Sequence, residues 1–455
     1  MTVQLRPRQQ DYQAPFKIKK NLNLTQLLAL VSEQFQSIPD VRRTKSCRYP
    51  LHDVMMGALG CMFHQEPSWL QFQQRLQDAH HQNNLFTLFN MTSLPADSQM
   101  RDILDSVDSE HYRPLFKALL EALRRDKQLE AYRLPLTPGG LYYVACDGTQ
   151  YHSSSSIHCE HCLRKEHKSG TTYQHQALQA ALMHPDCRQV LPLMPETISN
   201  KVGQSKQDCE QEAMKRLLRS LRQSHPRFPF LIGGDSLFAH SPTIRLLGEL
   251  DMRYLLSCKP GDHKHLMRWL ADFPDWPWQQ HQDKQERTHR YRWRNDVPLV
   301  DRDDSPRVNY LEYELLNRQG VCTYRGGWIT DLNVDGRNVE LLVRIGRSRW
   351  KIENECFNTL KNQGYHLEHN FGHGKTHLAH NMYLSVLLAF YLHQILELCD
   401  EAFQKCRQAY GSKRNLWEQI RVLCQHFIIP DWYWLMALLL DKDKEHFILE
   451  SVKKG

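Results

Sequence analysis

The chain has 455 residues and a net charge of +7, with 13 cysteines scattered along its length. That length supports two or three domains and a large core. The odd, dispersed cysteines argue for a reducing compartment and against a disulfide framework, and the mild basic excess suits a polyanionic partner without demanding one. Residues 1–135 read as mostly helical, with apolar residues at helical spacing in "TQLLALVSEQFQSI" (25–38) and "RPLFKALLEALRR" (113–125). The N-terminus, "MTVQLRPRQQDYQ", has no apolar segment of the secretory kind. Between the two helical runs, "VRRTKSCRYP" (41–50) gathers Arg42, Arg43, Lys45 and Arg48 just before a helix from Leu51. These charges either contact phosphates or form an ordinary solvated run.

"LTPGG" (136–140) reads as a boundary. An all-apolar strand, "LYYVACDG" (141–148), follows and ends in Asp147. Two more strand-like runs come next (173–184 and 189–198), then a helix (206–224), then a second apolar strand, "FPFLIGGD", ending in Asp235. Ser241 and Pro242 suit the cap and first turn of a further helix, and "RYLLSCKPG" is another strand. Apolar central strands alternating with helices describe an α/β domain whose sheet is covered on both faces. Residues 276–332 alternate with period two and read as a β-rich insertion of antiparallel strands. The α/β pattern resumes with a helix from Arg337, and the end of the chain reads as helical. The apolar runs 382–398 and 428–440 read as buried helices, because the first carries His393, Gln394 and Glu397 and the second is short and carries Pro430 and Asp431.

The stretch "RWKIENECFNTLK" (349–361) carries Glu353 and Glu355, which point to nearly opposite sides of a helix. At about 100° per residue, Ile345, Trp350, Ile352, Cys356, Phe357 and Leu360 share one broad arc. Glu353 falls inside that arc and Glu355 on the polar side, where it should be a solvent-facing charge. A carboxylate facing a core is costly unless compensated. Arg349, one turn earlier, is one partner for Glu353; a metal ion is the other. Asp147 and Asp235 each end a buried strand beside glycine, where ligands gather in open α/β sheets. Three carboxylates meeting at one point repel each other, but suit hard divalent cations and two-metal phosphoryl transfer.

The order Asp147, Asp235, β-rich insertion and then "RWxIE" resembles the DDE transposases of bacterial insertion sequences, in particular the group typified by insertion sequence four. "RWKIENECFNTLKNQGYHLEHNFGHGK" and "IHCEHC" are similar to one subgroup of these, and the resemblance covers about 40–450. It implies a ribonuclease-H-like mixed sheet flanked by helices. The division is a helical DNA-binding region (1–135), core first part (136–258), β-rich insertion (259–332), core second part (333–400) and helical C-terminal region (401–455). It further implies Asp147, Asp235 and Glu353 as metal-binding catalytic triad with Mg²⁺ (or Mn²⁺), and Arg349 holding DNA near the cut. The group usually has Tyr three residues before that Arg and Lys seven after the Glu; here Gly346 and Leu360 occupy those places, and Lys361 is a substitute contact for DNA.

Cys159 and Cys162 form C-x-x-C, followed by His167 and His175. Such ligands suit a tetrahedral structural Zn²⁺ stapling a loop at 153–175, with His158 and His161 as competing ligands and two unpaired thiols as the alternative. "FGHGKTH" (371–377) lacks the earlier glycine of a nucleotide-binding loop, since His369 stands there, so no nucleotide cofactor is expected. His366, His369, His373, His377 and His380 read as a partly charged face near DNA rather than as ligands. The expected function is therefore cleavage at element ends and strand transfer into target DNA, with double-stranded DNA as partner, action as a homodimer, no membrane association and a bacterial cytoplasmic location. The rivals are a nuclease that cuts without joining and a non-enzymatic DNA-binding protein derived from a transposase.

Overall fold

The computed structural model describes residues 2–7, 14–42, 47–76, 79–200, 207–441 and 447–452. Nine strands form the main path of a large mixed sheet: β1 (Leu141–Ser154), β2 (Leu163–His167), β3 (Gly170–Met183), β4 (Phe230–Gly234), β5 (Arg253–Ser257), β6 (Trp278–Gln282), β7 (Thr288–Pro298), β8 (Arg307–Leu316) and β9 (Cys322–Thr330). Their spatial order is β6-β7-β8-β9-β5-β4-β1-β3-β2. β1, β4 and β5 run parallel, and every other neighbouring pair is antiparallel. The period-two segment thus extends the parallel centre as an antiparallel meander, and the fold is mixed α/β with many helices. β4 is buried along its whole length, as its unbroken apolar run requires when both faces are covered.

The run 189–198 is not one strand. It forms two short pieces, Leu191–Pro192 and Glu196–Ile198, both paired with β3. Pro192 and Pro195 have no N–H to donate to a ladder, which breaks the pairing. The chain ends also differ from expectation. Thr2–Pro7 pairs with Phe447–Val452 as a separate two-stranded sheet, a contact across the whole sequence that leaves no local signature.

Helix Leu378–Cys399 is long and apolar enough to span a membrane, yet all of it except Glu397 and Leu398 is buried inside the protein. Several of its polar side chains are satisfied by the elements around it, while the Tyr391 hydroxyl and His393 Nε2 are buried without a partner among the described residues. Asn381 donates to the carbonyls of Leu104 and Val107 at 2.8 Å each. The Tyr383 hydroxyl donates to Gln179 of β3 at 2.8 Å, and Ser385 pairs with Tyr112 at 2.9 Å. Asp105 caps this helix from another element, accepting the backbone N–H groups of Lys375, Thr376, His377 and Leu378. Those four donors have no partner within the helix, so the cap is part of what docks residues 97–112 onto the α/β region. One continuous core joins the N-terminal helices, the sheet and the C-terminal helices.

Candidate active site

β1 and β4 lie side by side with Ala145 opposite Gly233. Asp147 and Asp235 each follow two residues later, so the parallel register brings both carboxylates to the same level of neighbouring strands. Asp235 directly follows β4 and caps the short turn Ser236–Phe238, its Oδ1 accepting from the Leu237 N–H at 3.0 Å. Glu353 arrives from the far side of the β-rich segment. Arg349 joins the set: its guanidinium donates to Asp147 Oδ2 at 3.0 Å and to Glu353 Oε1 at 2.8 Å. The arginine side chain is 16 % exposed, against 21 % for Asp147 and 40 % for Glu353.

The helix carrying these residues is irregular, and this corrects the wheel. Helix Val339–Ser348 tightens as it ends, with Ile352 N–H donating to the Arg349 carbonyl, and Ile352–Phe357 is a π-turn. A constant 100° per residue therefore fails across 349–357. Ile345, Ile352, Cys356, Phe357 and Leu360 are buried as expected, but Trp350 is 63 % exposed. Glu355 is half-buried rather than solvent-facing, and its charge acts on Lys351. Lys351 anchors the turn, its ammonium donating to the carbonyls of His184, Pro185 and Cys187 at 2.7–2.8 Å. Those carbonyls follow β3, so the element bearing Glu353 is bolted to the sheet that bears Asp147. Single π-turns within helices recur at functional sites.

Burial pushes the Asp147 carboxyl up to about 6, and the charges of Glu353 and Asp235 push the same way, against Arg349. Counted formally, Asp147, Asp235 and Glu353 outnumber the one guanidinium that bonds the set. A fourth carboxylate adds to the deficit. Glu210, in the first turn of helix Glu210–Ser224, lies against the backbone of Gly148, where any Cβ would overlap its Oε1. Its carboxyl is raised, first by burial and then by Asp235. The sequence reading missed Glu210, because an acid in a first helical turn is ordinary dipole chemistry. Gly346 has a comparable explanation: a Cβ there would lie 2.5 Å from Trp328 Nε1, so the β9 indole occupies the space a larger residue would need.

The expected DNA contacts are less prominent. Lys361 pairs with Glu368 at 3.0 Å. Arg42 is held by Asp40 at 2.6 Å and by the Tyr49 carbonyl at 2.9 Å, and Arg48 lies over the Tyr49 ring. Arg43 and Lys45 fall outside the described residues.

A second cluster lies further along the same strands. Cys159 and Cys162, from the β1–β2 excursion, meet His175 of β3. The fourth member is His373 rather than His167, which correction also moves His373 out of the charged-face reading. His167 ends β2 as an exposed residue paired with Gly170 in a tight hairpin; that turn carries it away from the cysteines. His158 stacks on Tyr173, and His161 Nδ1 meets the Asn200 carbonyl.

No curated protein matches this chain. Residues 32–120 match the family model described as DDE_Tnp_1-associated, and this match points to a relation with the DDE-type transposases.

Proposed function

We propose that this protein is a DDE transposase of the insertion sequence four-like group, cutting DNA at element ends and joining the freed 3′ ends to target DNA. The observation carrying the proposal is the meeting of three carboxylates from separate elements: Arg349 bridges Asp147 and Glu353, and Asp235 is close enough for its charge to act on Asp147. The matched segment supports the same reading. So does the strand arrangement: antiparallel β3 beside β1, then parallel β4 and β5, is the order expected of a ribonuclease-H-like core.

The donor set fits Mg²⁺ or Mn²⁺. All its atoms are hard carboxylate oxygens, and Asp147 is held high first by burial and then by the neighbouring Glu353 and Asp235 charges, a cost that a bound cation would offset. Asp147, Asp235 and Glu353 would hold the ions, which supply activation of the attacking oxygen and stabilisation of the leaving one. Arg349 stands between two carboxylates and can turn to a phosphate once their charge is met otherwise. Lys351 keeps the Glu353 turn in register with β3. Double-stranded DNA is the partner, engaged by a homodimer.

The test uses purified full-length protein and a labelled element end, with cleavage and strand transfer scored separately. Asp235→Asn should lose both while still binding DNA, and should lose Mn²⁺ binding by electron paramagnetic resonance. Cleavage without joining would favour the nuclease. DNA binding with neither activity nor Mn²⁺ uptake would favour the non-enzymatic reading.

A further inference from the structure

We propose that Cys159, Cys162, His175 and His373 bind one structural zinc ion, and that this ion ties the segment after Glu353 to the strands bearing Asp147. The proposal stands independently of the transposase reading. The four ligand atoms lie within 4.8 Å of one another, three of the residues are buried and Cys159 is partly so. The Sγ atoms are 3.9 Å apart, too far for a disulfide, whose S–S bond is about 2.05 Å. His175 Nε2 is 3.5 Å from Cys159 Sγ and 3.4 Å from Cys162 Sγ. His373 Nε2 is 3.4 Å from Cys162 Sγ and 3.0 Å from His175 Nε2. A tetrahedron with ordinary Zn–S and Zn–N bonds has edges of about 3.8 Å for S···S, about 3.6 Å for S···N and about 3.3 Å for N···N. Those five distances follow that pattern, and the sixth edge, Cys159 Sγ to His373 Nε2, lies within 4.8 Å.

The surroundings point the same way. His373 Nδ1 lies 2.8 Å from the Gly374 carbonyl. Its N–H is used there, which turns the Nε2 lone pair inward, as in metal-bound imidazoles oriented by a carbonyl. Two thiols and two imidazoles with no carboxylate select zinc over magnesium or calcium. Four protein ligands leave no open position, so the site is structural rather than catalytic. On binding, the two thiols lose their protons to solvent and the imidazoles bind neutral, so uptake releases two protons and weakens as pH falls.

The consequence lies in what is joined. His175 and His373 are 198 residues apart. His175 faces His152 in the β1–β3 ladder, the ladder that carries Asp147. His373 lies between the π-turn of Glu353 and helix Leu378–Cys399.

Elemental analysis of full-length protein, purified under reducing conditions without chelator, should find about one zinc per chain. Cobalt substitution should give intense visible bands and a thiolate charge-transfer band. His373→Gln should lose the metal, while His167→Gln should keep it. Chelation of the wild-type protein should lower Tm and added Zn²⁺ should restore it, a readout that survives if a cysteine variant fails to fold. A metal-free protein that takes up no Co²⁺ and ignores chelator would overturn the proposal, leaving a hydrogen-bonded thiol–imidazole cluster. Retention of metal by His373→Gln would overturn the ligand set.

Discussion

The two clusters on β1 and β3 handle charge in opposite ways. Around Asp147 the ligands are hard, partly exposed and more negative than their one internal cation can balance. Around Cys162 the donors are soft, mostly buried and close to one another, with no carboxylate among them. On the proposed reading, the first arrangement, partly exposed, serves ions that come and go. The second is closed, and suits an ion that stays. The difference teaches that convergence alone does not define a site; the kind of donor atom and the presence of a resident counter-charge say what the site can hold.

The sharpest way to break this comparison is at Glu353. Glu353→Gln keeps the shape and removes the charge, so DNA cleavage should fall by roughly 10³-fold or more with the fold intact. Unaltered cleavage in that variant, measured beside thermal unfolding, would remove Glu353 from the triad and leave it as the arginine's partner.

Arg349→Ala tests whether the guanidinium substitutes for a cation. Removing one member of a fully buried pair costs about 3–5 kcal/mol; with Glu353 partly exposed, about 2–3 kcal/mol is expected. Added Mg²⁺ should recover part of that loss, so divalent ions should raise Tm more in the variant than in the wild type. A Tm equally insensitive to Mg²⁺ in both would mean that these carboxylates do not bind divalent ions.

Asp147 gives a pH signature. Its folded carboxyl titrates near 6, above the ordinary value, so the folded state holds the proton more tightly than the unfolded chain. Its unfavourable contribution is absent below about pH 4 and complete once pH rises through about 6, reaching at most about 3 kcal/mol. Asp147→Asn should therefore abolish cleavage while leaving Tm at pH 7 unchanged or up to about 3 °C higher. At pH 4 the variant should show no such gain. A clear fall in Tm at pH 7 would show that the ion pair with Arg349 outweighs burial.

The smallest effect is expected at Glu355. Glu355→Gln should change stability by less than about 0.5 kcal/mol and leave cleavage intact. A stable but inactive variant would mean that the wrong glutamate has been assigned.

Much of the architecture was legible in local pattern. The unbroken apolar runs of β1 and β4, the period-two insertion and the buried helix around 382–398 all appear where their periodicities place them. Asp147 and Asp235 were visible because each sits where a buried run meets a glycine. Glu353 was visible because an acid stood among apolar neighbours, although Trp350 was then misplaced and Glu355 half-buried. The wheel assumes one helical period, and the π-turn at Ile352–Phe357 breaks it.

The residues that escaped are those whose meaning is a meeting. Glu210 looks like any first-turn acid until Gly148 is found against its carboxylate. His373 is one of five histidines in a short span until the return of the chain sets it beside Cys162. His167 has the better spacing in the sequence, but its hairpin faces it outward. Periodicity, caps and glycine positions are short-range and so are written in consecutive residues. Pairings such as His175 with His373, Asp105 with the helix at Leu378, or Arg349 with Asp147 depend on how a core closes over hundreds of residues, and no local spacing records them.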